Sequence, residues 1–270
     1  MFYTSYFGMN CNPFSKDESI NCPFKSDDFN QVITRFNYLK ETLGIGVFLG
    51  TSGLGKTYIV RNFINNLNKD LYKVIYINSS HNMSLFDFIK LICNSLNLDT
   101  GACYKIDLYQ NIQNEIIRLF KHDKVKPIII IDDAHLLSRE ILFNLKILYD
   151  FEMDSKDYVT LILIGYPELK TELSKNIHET LNQRIIVNYK LNGLSRNEVK
   201  EYIRTRMEYA NLNNDIFTPD ALSALYFCSK SSPRRLNTLV TNCLMLASQN
   251  NKNIIDSDIV MNAKNEMDLD

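Results

Sequence analysis

The stretch Gly50-Thr51-Ser52-Gly53-Leu54-Gly55-Lys56-Thr57 matches the phosphate-binding loop pattern G-x-x-x-x-G-K-[ST] at every position. The apolar run Val47-Phe48-Leu49 precedes it and predicts a buried strand. Apolar residues at helical spacing follow it, namely Ile59, Val60, Phe63, Ile64 and Leu67. The motif therefore stands between a strand and a helix, which favours a true phosphate-binding loop over a glycine-rich turn that holds Lys and Thr by chance.

The residue types in this loop suit a nucleotide. Glycines let backbone N–H groups turn inward around phosphates, and the N-terminus of the following helix adds its positive end. Lys56 is expected to reach the β- and γ-phosphates, and the Thr57 hydroxyl to ligate Mg²⁺. The predicted nucleotide-binding residues are those of the loop and the residue after it: Gly50, Thr51, Ser52, Gly53, Leu54, Gly55, Lys56, Thr57 and Tyr58.

A second informative stretch is Pro127-Ile128-Ile129-Ile130-Ile131-Asp132-Asp133. Consecutive β-branched residues predict a strand that is buried on both faces, as in a parallel sheet. The two carboxylates follow at the end of this strand, where ligands bind in open α/β sheets. Asp132 is expected to hold Mg²⁺ through its water shell, and Asp133 to orient or deprotonate the attacking water. The alternative is an acidic helix cap after a strand, which the loop upstream makes less favoured.

Further strands are predicted at Tyr72–Asn78, Val159–Ile164 and from Ile185 onward. Because strands alternate with helical segments, we expect a parallel, five-stranded sheet with right-handed crossovers and flanking helices. Residues 84–120 are expected to form a helical insert. Tyr104 and Lys105 in this insert are candidates for DNA contact, although a solvated loop explains them equally well.

From Ser195 onward the pattern is entirely helical. Ser195 and Glu198 form a capping box, and Thr218-Pro219 opens a later helix. The clearest helical stripe in the chain comprises Leu236, Leu239, Val240, Cys243, Leu244 and Ala247. This part is expected to be a small helical lid.

The predicted domains are an N-terminal extension packed on the core (1–35), an α/β nucleotide-binding domain (36–193) and the lid (194–270). Within the extension, loops with aromatic anchors are predicted at Tyr6-Phe7-Gly8, Pro13-Phe14 and Pro23-Phe24.

The composition is that of a soluble globular protein, with 45% hydrophobic and 23% charged residues in a chain of 270. The net charge of −1 requires any nucleic-acid contact to come from a local patch. No apolar stretch is long enough to span a membrane, and no signal peptide is recognisable. The six cysteines lack a C-x-x-C pair, so neither a zinc site nor a disulfide framework is expected, and a reducing, cytoplasmic setting follows.

Short segments spread over nearly the whole chain match the motifs of one family. They are Tyr6-Phe7-Gly8 with Pro13-Phe14, Gly46 through Thr57, Ile131-Asp132-Asp133-Ala134-His135-Leu136-Leu137, Leu163-Ile164-Gly165-Tyr166-Pro167-Glu168-Leu169, Gln183-Arg184-Ile185 and Ser232-Pro233-Arg234-Arg235-Leu236-Asn237. Together they resemble an AAA+ ATPase, and more narrowly the ExeA/TniB-like group that includes TnsC-type transposition regulators.

The resemblance implies a P-loop NTPase fold, ATP and Mg²⁺ as cofactors, and roles for two arginines. Arg184 stands where such proteins have an arginine finger, which reaches a neighbouring subunit's nucleotide. Arg234 stands at the lid arginine called sensor 2 and joins the nucleotide-binding set. The implied catalytic residues are Asp133, Lys56 and Arg184, and the implied metal ligands are Thr57 and Asp132. A structural ion pair of Arg184 with a local carboxylate is the alternative for that residue.

The sequence departs from the family pattern at three points. Asp133 replaces the usual Glu and is one methylene shorter, so ATP hydrolysis is expected to be slow or stimulated by a partner. Gly165-Tyr166 provides neither an amide nor a small hydroxyl at the usual polar sensor position. Ser231-Ser232 stands where the lid motif often has Gly.

The resemblance implies an ATP-dependent regulator of DNA transposition. Such a protein assembles in its ATP-bound state as a ring or helical filament on double-stranded DNA, and recruits a transposase, with a target-selector protein as a further partner. Because the sequence ends soon after the lid, we expect the protein to lack the membrane anchor and cell-wall domain of a secretion-type ExeA homologue, which favours the transposition hypothesis. The alternatives are a stand-alone secretion or envelope ATPase, and a nucleotide switch with little hydrolysis that is related to replication initiators or helicase loaders.

Overall fold

The computed structural model describes residues 2–15, 22–101, 104–152 and 156–267. Contacts between residues divide the chain into two compact units, each with its own hydrophobic core. The helical unit comprises Met1–Asn30, Ser52–Gly55 and Asn192–Asp270, and the sheet unit comprises Gln31–Thr51 and Lys56–Leu191.

The strands are β1 (Ile45–Leu49), β2 (Tyr72–Asn78), β3 (Lys126–Asp132), β4 (Thr160–Gly165) and β5 (Ile185–Lys190). The helices are α1 (Phe2–Tyr6), α2 (Asp27–Thr42), α3 (Lys56–Asn65), α4 (Leu85–Ser95), α5 (Lys105–Lys121), α6 (Arg139–Leu148), α7 (Glu168–Leu173), α8 (Glu179–Gln183), α9 (Arg196–Tyr209), α10 (Pro219–Ser229), α11 (Pro233–Gln249) and α12 (Ser257–Met267). Short 3₁₀ helices cover Ala134–Leu136 and Asn176–His178.

The strands form one five-stranded sheet in the order β2-β3-β4-β1-β5, and every pairing is parallel. The predicted α/β fold with a parallel sheet and flanking helices is therefore confirmed. Because the strands are parallel, their carboxyl ends share one edge of the sheet, and the loops that follow β1 and β3 both leave from that edge.

Side chains of β1 show how the sheet is buried on both faces. Ile45, Val47 and Leu49 belong to the main core of the sheet unit. Phe48 points to the opposite face, where the Phe36 ring of α2 lies 4.6 Å from it in an edge-on arrangement. Phe63 of α3 completes this second layer, with its ring 4.9 Å from that of Phe36. The alternation follows from the two-residue period of a strand, and it fixes α3 against the sheet.

The helical unit confirms the sequence pattern of the C-terminal part. Ser195 caps α9 through the predicted box with Glu198, and Thr218 caps α10 by accepting from the Ala221 N–H group. The α11 stripe is buried, with Cys243 at 0% exposure, as its place in the predicted apolar stripe requires. Cys103 lies outside the described residues.

The N-terminal residues contribute Tyr3, Met9 and Phe14 to the core of the helical unit. The predicted domain limits of 1–35, 36–193 and 194–270 remain a prediction.

One local expectation was wrong: a loop was predicted at Tyr6-Phe7-Gly8, but Tyr6 ends helix α1. The turn begins after it, with Gly8 at a φ of 68°. Among the described residues, no helix has the length and apolar character needed to cross a bilayer.

Candidate nucleotide-binding and catalytic site

The phosphate-binding loop follows β1 at the carboxyl edge of the sheet. Its residues are divided between the two units: Gly50, Thr51, Lys56 and Thr57 belong to the sheet unit, and Ser52–Gly55 to the helical unit. The Lys56 side chain is buried, at 8% exposure, at the first position of α3. Tyr58, in the first turn of the same helix, is half-buried.

Two glycines of the loop adopt backbone conformations that other residues rarely accept. Gly53 has a φ of 79° and Gly55 a φ of 85°. A Cβ atom at Gly53 would also lie 2.6 Å from the Ser232 Oγ atom and 3.0 Å from the Arg234 Cβ atom. The loop therefore requires glycine at Gly53 for both its conformation and its close neighbours.

The ammonium group of Lys56 is fully engaged by the protein. Its Nζ atom donates to the carbonyl oxygens of Gly50 at 2.7 Å and Thr51 at 2.9 Å. It also lies 4.7 Å from the centre of the Tyr166 ring, within the range of a cation–π contact. A phosphate that binds Lys56 would therefore replace neutral carbonyl acceptors with charged oxygens, rather than meet an ammonium group without partners.

Thr57 and Asp132 form the link between the two motifs. The Thr57 Oγ1 atom donates to the Asp132 Oδ2 atom at 2.7 Å, and Asp132 is only 2% exposed. The other carboxylate oxygen, Oδ1, accepts from the backbone N–H group of Asp133 at 2.9 Å. A hydroxyl and a carboxylate are the hard oxygen donors that Mg²⁺ prefers, so this donor set fits the ion that the motif resemblance implies.

Tyr76 is a member of the site that was not predicted from the sequence. Its hydroxyl donates to the Asp132 Oδ2 atom at 3.1 Å. Burial, followed by the charge of Asp132, raises the pKa of the Tyr76 hydroxyl well above its ordinary value. The sequence assigned Tyr76 only to a strand, because the contact depends on how β2 and β3 align.

Asp133 is oriented differently from Asp132. Its backbone is left-handed, with φ 52° and ψ 35°, a region that Asp enters more readily than most residues. It precedes the 3₁₀ helix Ala134–Leu136, but within the described part of the chain its side chain makes no capping hydrogen bond. The helix-cap alternative is therefore not favoured. Its side chain is 40% exposed, which leaves the carboxylate open to a water molecule.

His135 and Tyr166 form a stacked pair beside Asp133. Their rings are nearly parallel, with an angle of 18° and centres 4.0 Å apart. The His135 Nδ1 atom lies 3.9 Å from the Asp133 Oδ1 atom, and this nitrogen is buried without a hydrogen-bond partner among the residues that the structure describes. Burial is the main cause that lowers the pKa of His135. Tyr166 occupies the position at which the family pattern has a polar sensor, and here the residue presents an aromatic ring to Lys56.

Arg234 lies in the helical unit together with the tip of the loop. Its Nη1 atom donates to the Ser52 Oγ atom at 3.3 Å, and its backbone N–H group donates to the Gly53 carbonyl at 3.3 Å. Ser232 Oγ donates to the same carbonyl at 3.2 Å. Ser231, which stands where the motif often has Gly, takes the left-handed conformation with a φ of 60°, so the backbone keeps the glycine-like geometry.

Arg184 lies apart from these residues. It immediately precedes β5, and Ile45 at the start of β1 pairs with Ile185. The Arg184 side chain is half-buried and donates to the Tyr149 carbonyl at 2.9 Å. Because β5 and β1 are parallel, Arg184 is at the edge of the sheet opposite to the loop that follows β1. Its role as a finger remains a prediction, as do the other assigned roles.

The candidate DNA-contacting residues are at the start of α5. Tyr104 is 81% exposed, and the Lys105 Nζ atom lies 3.9 Å from the Glu140 carboxylate. Both interpretations of these two residues, DNA contact and a solvated loop, are compatible with this arrangement and stay predictions.

Comparison with known proteins agrees with this geometry. The family model described as "AAA domain" matches residues 39–173. The chain belongs to the AAA domain family. The AAA assignment covers β1 through α7, and so includes both the phosphate-binding loop and the Asp132-Asp133 pair. The predicted P-loop ATPase family is thereby confirmed.

The chain is similar to general secretion pathway protein A of Aeromonas hydrophila. It is 29% identical over 265 residues, which are 97% of this chain and 48% of the relative. The chain therefore spans about half the length of that protein.

Solved structures share the AAA fold at lower identity. Cdc6p from Pyrobaculum aerophilum has a TM-score of 0.66 at 17% identity, over 97% of this chain and 70% of that one. The Aeropyrum pernix ORC1 protein, solved in complex with DNA, has a TM-score of 0.62 at 18% identity, over 91% and 65% of the two chains. The Thermotoga maritima RuvB Holliday junction branch migration motor has a TM-score of 0.56 at 16% identity, over 90% and 70%.

Proposed function

We propose that this AAA protein is an ATP-dependent regulator of DNA transposition, which assembles on double-stranded DNA in its ATP-bound state and recruits or activates a transposase. The observation that carries the ATPase part is the 2.7 Å hydrogen bond between Thr57 and Asp132. It joins the phosphate-binding loop to the acidic strand end, as a site for a nucleotide and its metal ion requires.

The residues have distinct tasks in ATP hydrolysis. Lys56 exchanges its carbonyl partners for the β- and γ-phosphates, and backbone N–H groups of the loop hold the phosphate oxygens. Thr57 and Asp132 would hold Mg²⁺, which when bound neutralises charge on the phosphates. Asp133 accepts a proton from the attacking water, or orients it. Because Asp133 is shorter than Glu, we propose that turnover is slow or stimulated by a partner.

Arg184 supplies positive charge to the nucleotide of a neighbouring subunit. Its position at the sheet edge opposite to its own loop supports action between subunits rather than within one. A homo-oligomer, either a ring or a helical filament, follows from this role. Arg234, which contacts the tip of the loop, is proposed to bind the nucleotide as the lid arginine.

Binding to duplex DNA is proposed from the motif resemblance; the Aeropyrum pernix ORC1 protein, solved in complex with DNA, and the RuvB branch migration motor share the fold. Those likenesses are below 25% identity and support the fold alone. The transposase, and a target-selector protein, are proposed partners from the motif resemblance. A cytoplasmic location accompanies this proposal.

A second candidate is an ATPase of the secretion machinery or envelope. It is favoured by the 29% identity with general secretion pathway protein A over 97% of this chain. A third candidate is a replication-initiator-like nucleotide switch, which the fold likeness to Cdc6p favours. The three candidates share ATP binding and differ in what the ATP-bound protein engages.

Sedimentation with plasmid DNA tests the first proposal. We expect the protein to co-sediment with the plasmid in the presence of ATP and Mg²⁺, and to remain in the supernatant with ADP. The Lys56→Ala variant should not sediment under either condition. If the protein binds ATP but shows no DNA-dependent assembly, alone or with an integrase-type transposase encoded beside it, the transposition proposal is wrong. Neighbouring secretion or pilus genes would then favour the second candidate.

A further inference from the structure

The hydroxyl of Tyr76 reaches Asp132 because of strand register. In the parallel pair, Tyr76 lies opposite Ile130, and Asn78 lies opposite Asp132. Tyr76 and Asp132 are therefore two positions apart along the pair, on the same face of the sheet, where a long side chain spans the diagonal. Its hydroxyl ends 3.1 Å from the Asp132 Oδ2 atom.

The hydrogen bonds of Asp132 leave few positions for further partners. Each carboxylate oxygen offers about two acceptor sites. Oδ2 accepts from both Thr57 and Tyr76, and Oδ1 accepts from the Asp133 backbone. Donors at both oxygens fix the rotation of the carboxylate, and, counting partners among the described residues, the acceptor position that remains is on Oδ1.

We propose that Tyr76 is a positioning residue for Mg²⁺: its hydroxyl holds the Asp132 carboxylate so that the free position on Oδ1 meets the water shell of the ion. This inference rests on the proposed nucleotide site. The proposed role of Tyr76 affects the affinity of the site for Mg²⁺ and leaves the contacts between the loop and the phosphates unchanged.

The surroundings of Tyr76 suit this role better than a purely structural one. Tyr76 is 41% exposed, so its side chain is not needed to fill the core. The charges of Asp132, Asp133 and Arg61 act on its hydroxyl. Arg61 lies one helical turn after Thr57 on α3. Groups that orient a metal-binding carboxylate typically change metal affinity by about 10- to 100-fold when removed.

The same strand offers a matched control. The Tyr72 hydroxyl also donates to a carboxylate, at 2.9 Å from Glu41, but Tyr72 is at the opposite end of β2 from the site. The Tyr72→Phe and Tyr76→Phe variants therefore remove the same chemical group and the same type of hydrogen bond. A difference between them reports on the site rather than on the loss of a hydroxyl from β2.

The experiment measures binding of a fluorescent, non-hydrolysable ATP analogue while MgCl₂ is titrated. For Tyr76→Phe, we expect the Mg²⁺ concentration at half-saturation to rise about ten-fold. It should not change for Tyr72→Phe. Affinity for the analogue in EDTA should be equal in all three proteins, whereas a structural defect would lower it.

An unchanged or lower Mg²⁺ requirement in Tyr76→Phe overturns the inference, and so does an equal loss of affinity with and without Mg²⁺. If the unmodified protein fails to bind the analogue under any condition, the proposed nucleotide site itself is wrong. Failure of the inference and failure of the nucleotide site can be distinguished, because the latter is measured with the parent protein alone.

Discussion

The Nζ atom of Lys56 lies 4.7 Å from the centre of the Tyr166 ring, and the imidazole of His135 stacks on the same ring with the two centres 4.0 Å apart. The lysine of the phosphate-binding loop is thus connected through two aromatic rings to the segment that carries Asp133. At the position of a polar sensor, this chain has an aromatic contact instead.

Removing the Tyr166 ring should destabilise the nucleotide-free protein. Tyr166→Leu loses the contact with Lys56 and the stack on His135, which together contribute about 1–2 kcal/mol. Tyr166→Phe keeps both ring contacts and should unfold like the parent. Thermal unfolding without nucleotide measures the difference, and equal Tm values for the two variants would show that the aromatic contacts contribute nothing.

Asp133→Asn should separate binding from hydrolysis. Asn accepts the left-handed backbone of this position as readily as Asp, so the fold should be kept. Loss of the base should lower the rate of ATP hydrolysis by about 10²- to 10⁴-fold, with nucleotide affinity retained. Phosphate release and binding of a fluorescent ATP analogue measure the two quantities. A variant with full biological function would instead favour a switch that works without hydrolysis.

Arg184→Ala should bind nucleotide normally yet lose about 10³-fold or more in hydrolysis rate, if measured under conditions of assembly. Mixing it with Asp133→Asn tests action between subunits. The first variant keeps Asp133 beside its nucleotide, and the second keeps Arg184, so mixed assemblies should regain part of the activity that each lacks alone.

The control for this mixture is Arg184→Ala combined with Arg184→Ala/Asp133→Asn, which supplies no arginine and should stay inactive. An inactive mixture of the two single variants, or normal hydrolysis and assembly by Arg184→Ala alone, would assign Arg184 to its hydrogen bond with the Tyr149 carbonyl.

His135 should make stability depend on pH. Its pKa is lowered from the ordinary 6.5, chiefly by burial, with Lys56 and His81 acting in the same direction and Asp133 and Glu168 opposing. Between the folded pKa and 6.5, the unfolded chain binds more protons. The contribution of His135 is therefore fully present above pH 6.5 and is lost as the pH falls through the folded pKa.

The slope from this one group is at most about 1.4 kcal/mol per pH unit. His135→Phe keeps a ring for the stack and removes the titration. Thermal unfolding between about pH 5 and pH 8 should show a smaller loss of stability at low pH in the variant than in the parent. Parallel pH profiles would mean that other groups cause the whole dependence.

The sheet could be predicted from the sequence because its central strands are continuous apolar runs. The four isoleucines of β3 and the run in β4 have few alternatives to a strand buried on both faces. Helices α7 and α8, of six and five residues, were not predicted, since so short a helix shows no apolar period.

The site residues that were predicted could be identified from motifs that are contiguous in the sequence. Thr57 and Asp132 were assigned from their own motifs, and strand topology then joined them. Tyr76 and the His135–Tyr166 stack could not be predicted, because they depend on register and on side-chain directions between segments distant in sequence. An amphipathic pattern specifies which face of an element is buried, but not which side chain of a neighbouring strand lies diagonally opposite.

Arg184 and the phosphate-binding loop flank opposite ends of β1, whose five residues span about 16 Å. Under the proposed finger role, a monomer carries both Arg184 and the phosphate-binding loop, but its own Arg184 does not reach its own nucleotide. Specific activity should accordingly fall on dilution, well before nucleotide dissociates. The rate of hydrolysis per molecule would thus depend on the local concentration of the protein. Any scaffold that brings several copies together would act as an activator.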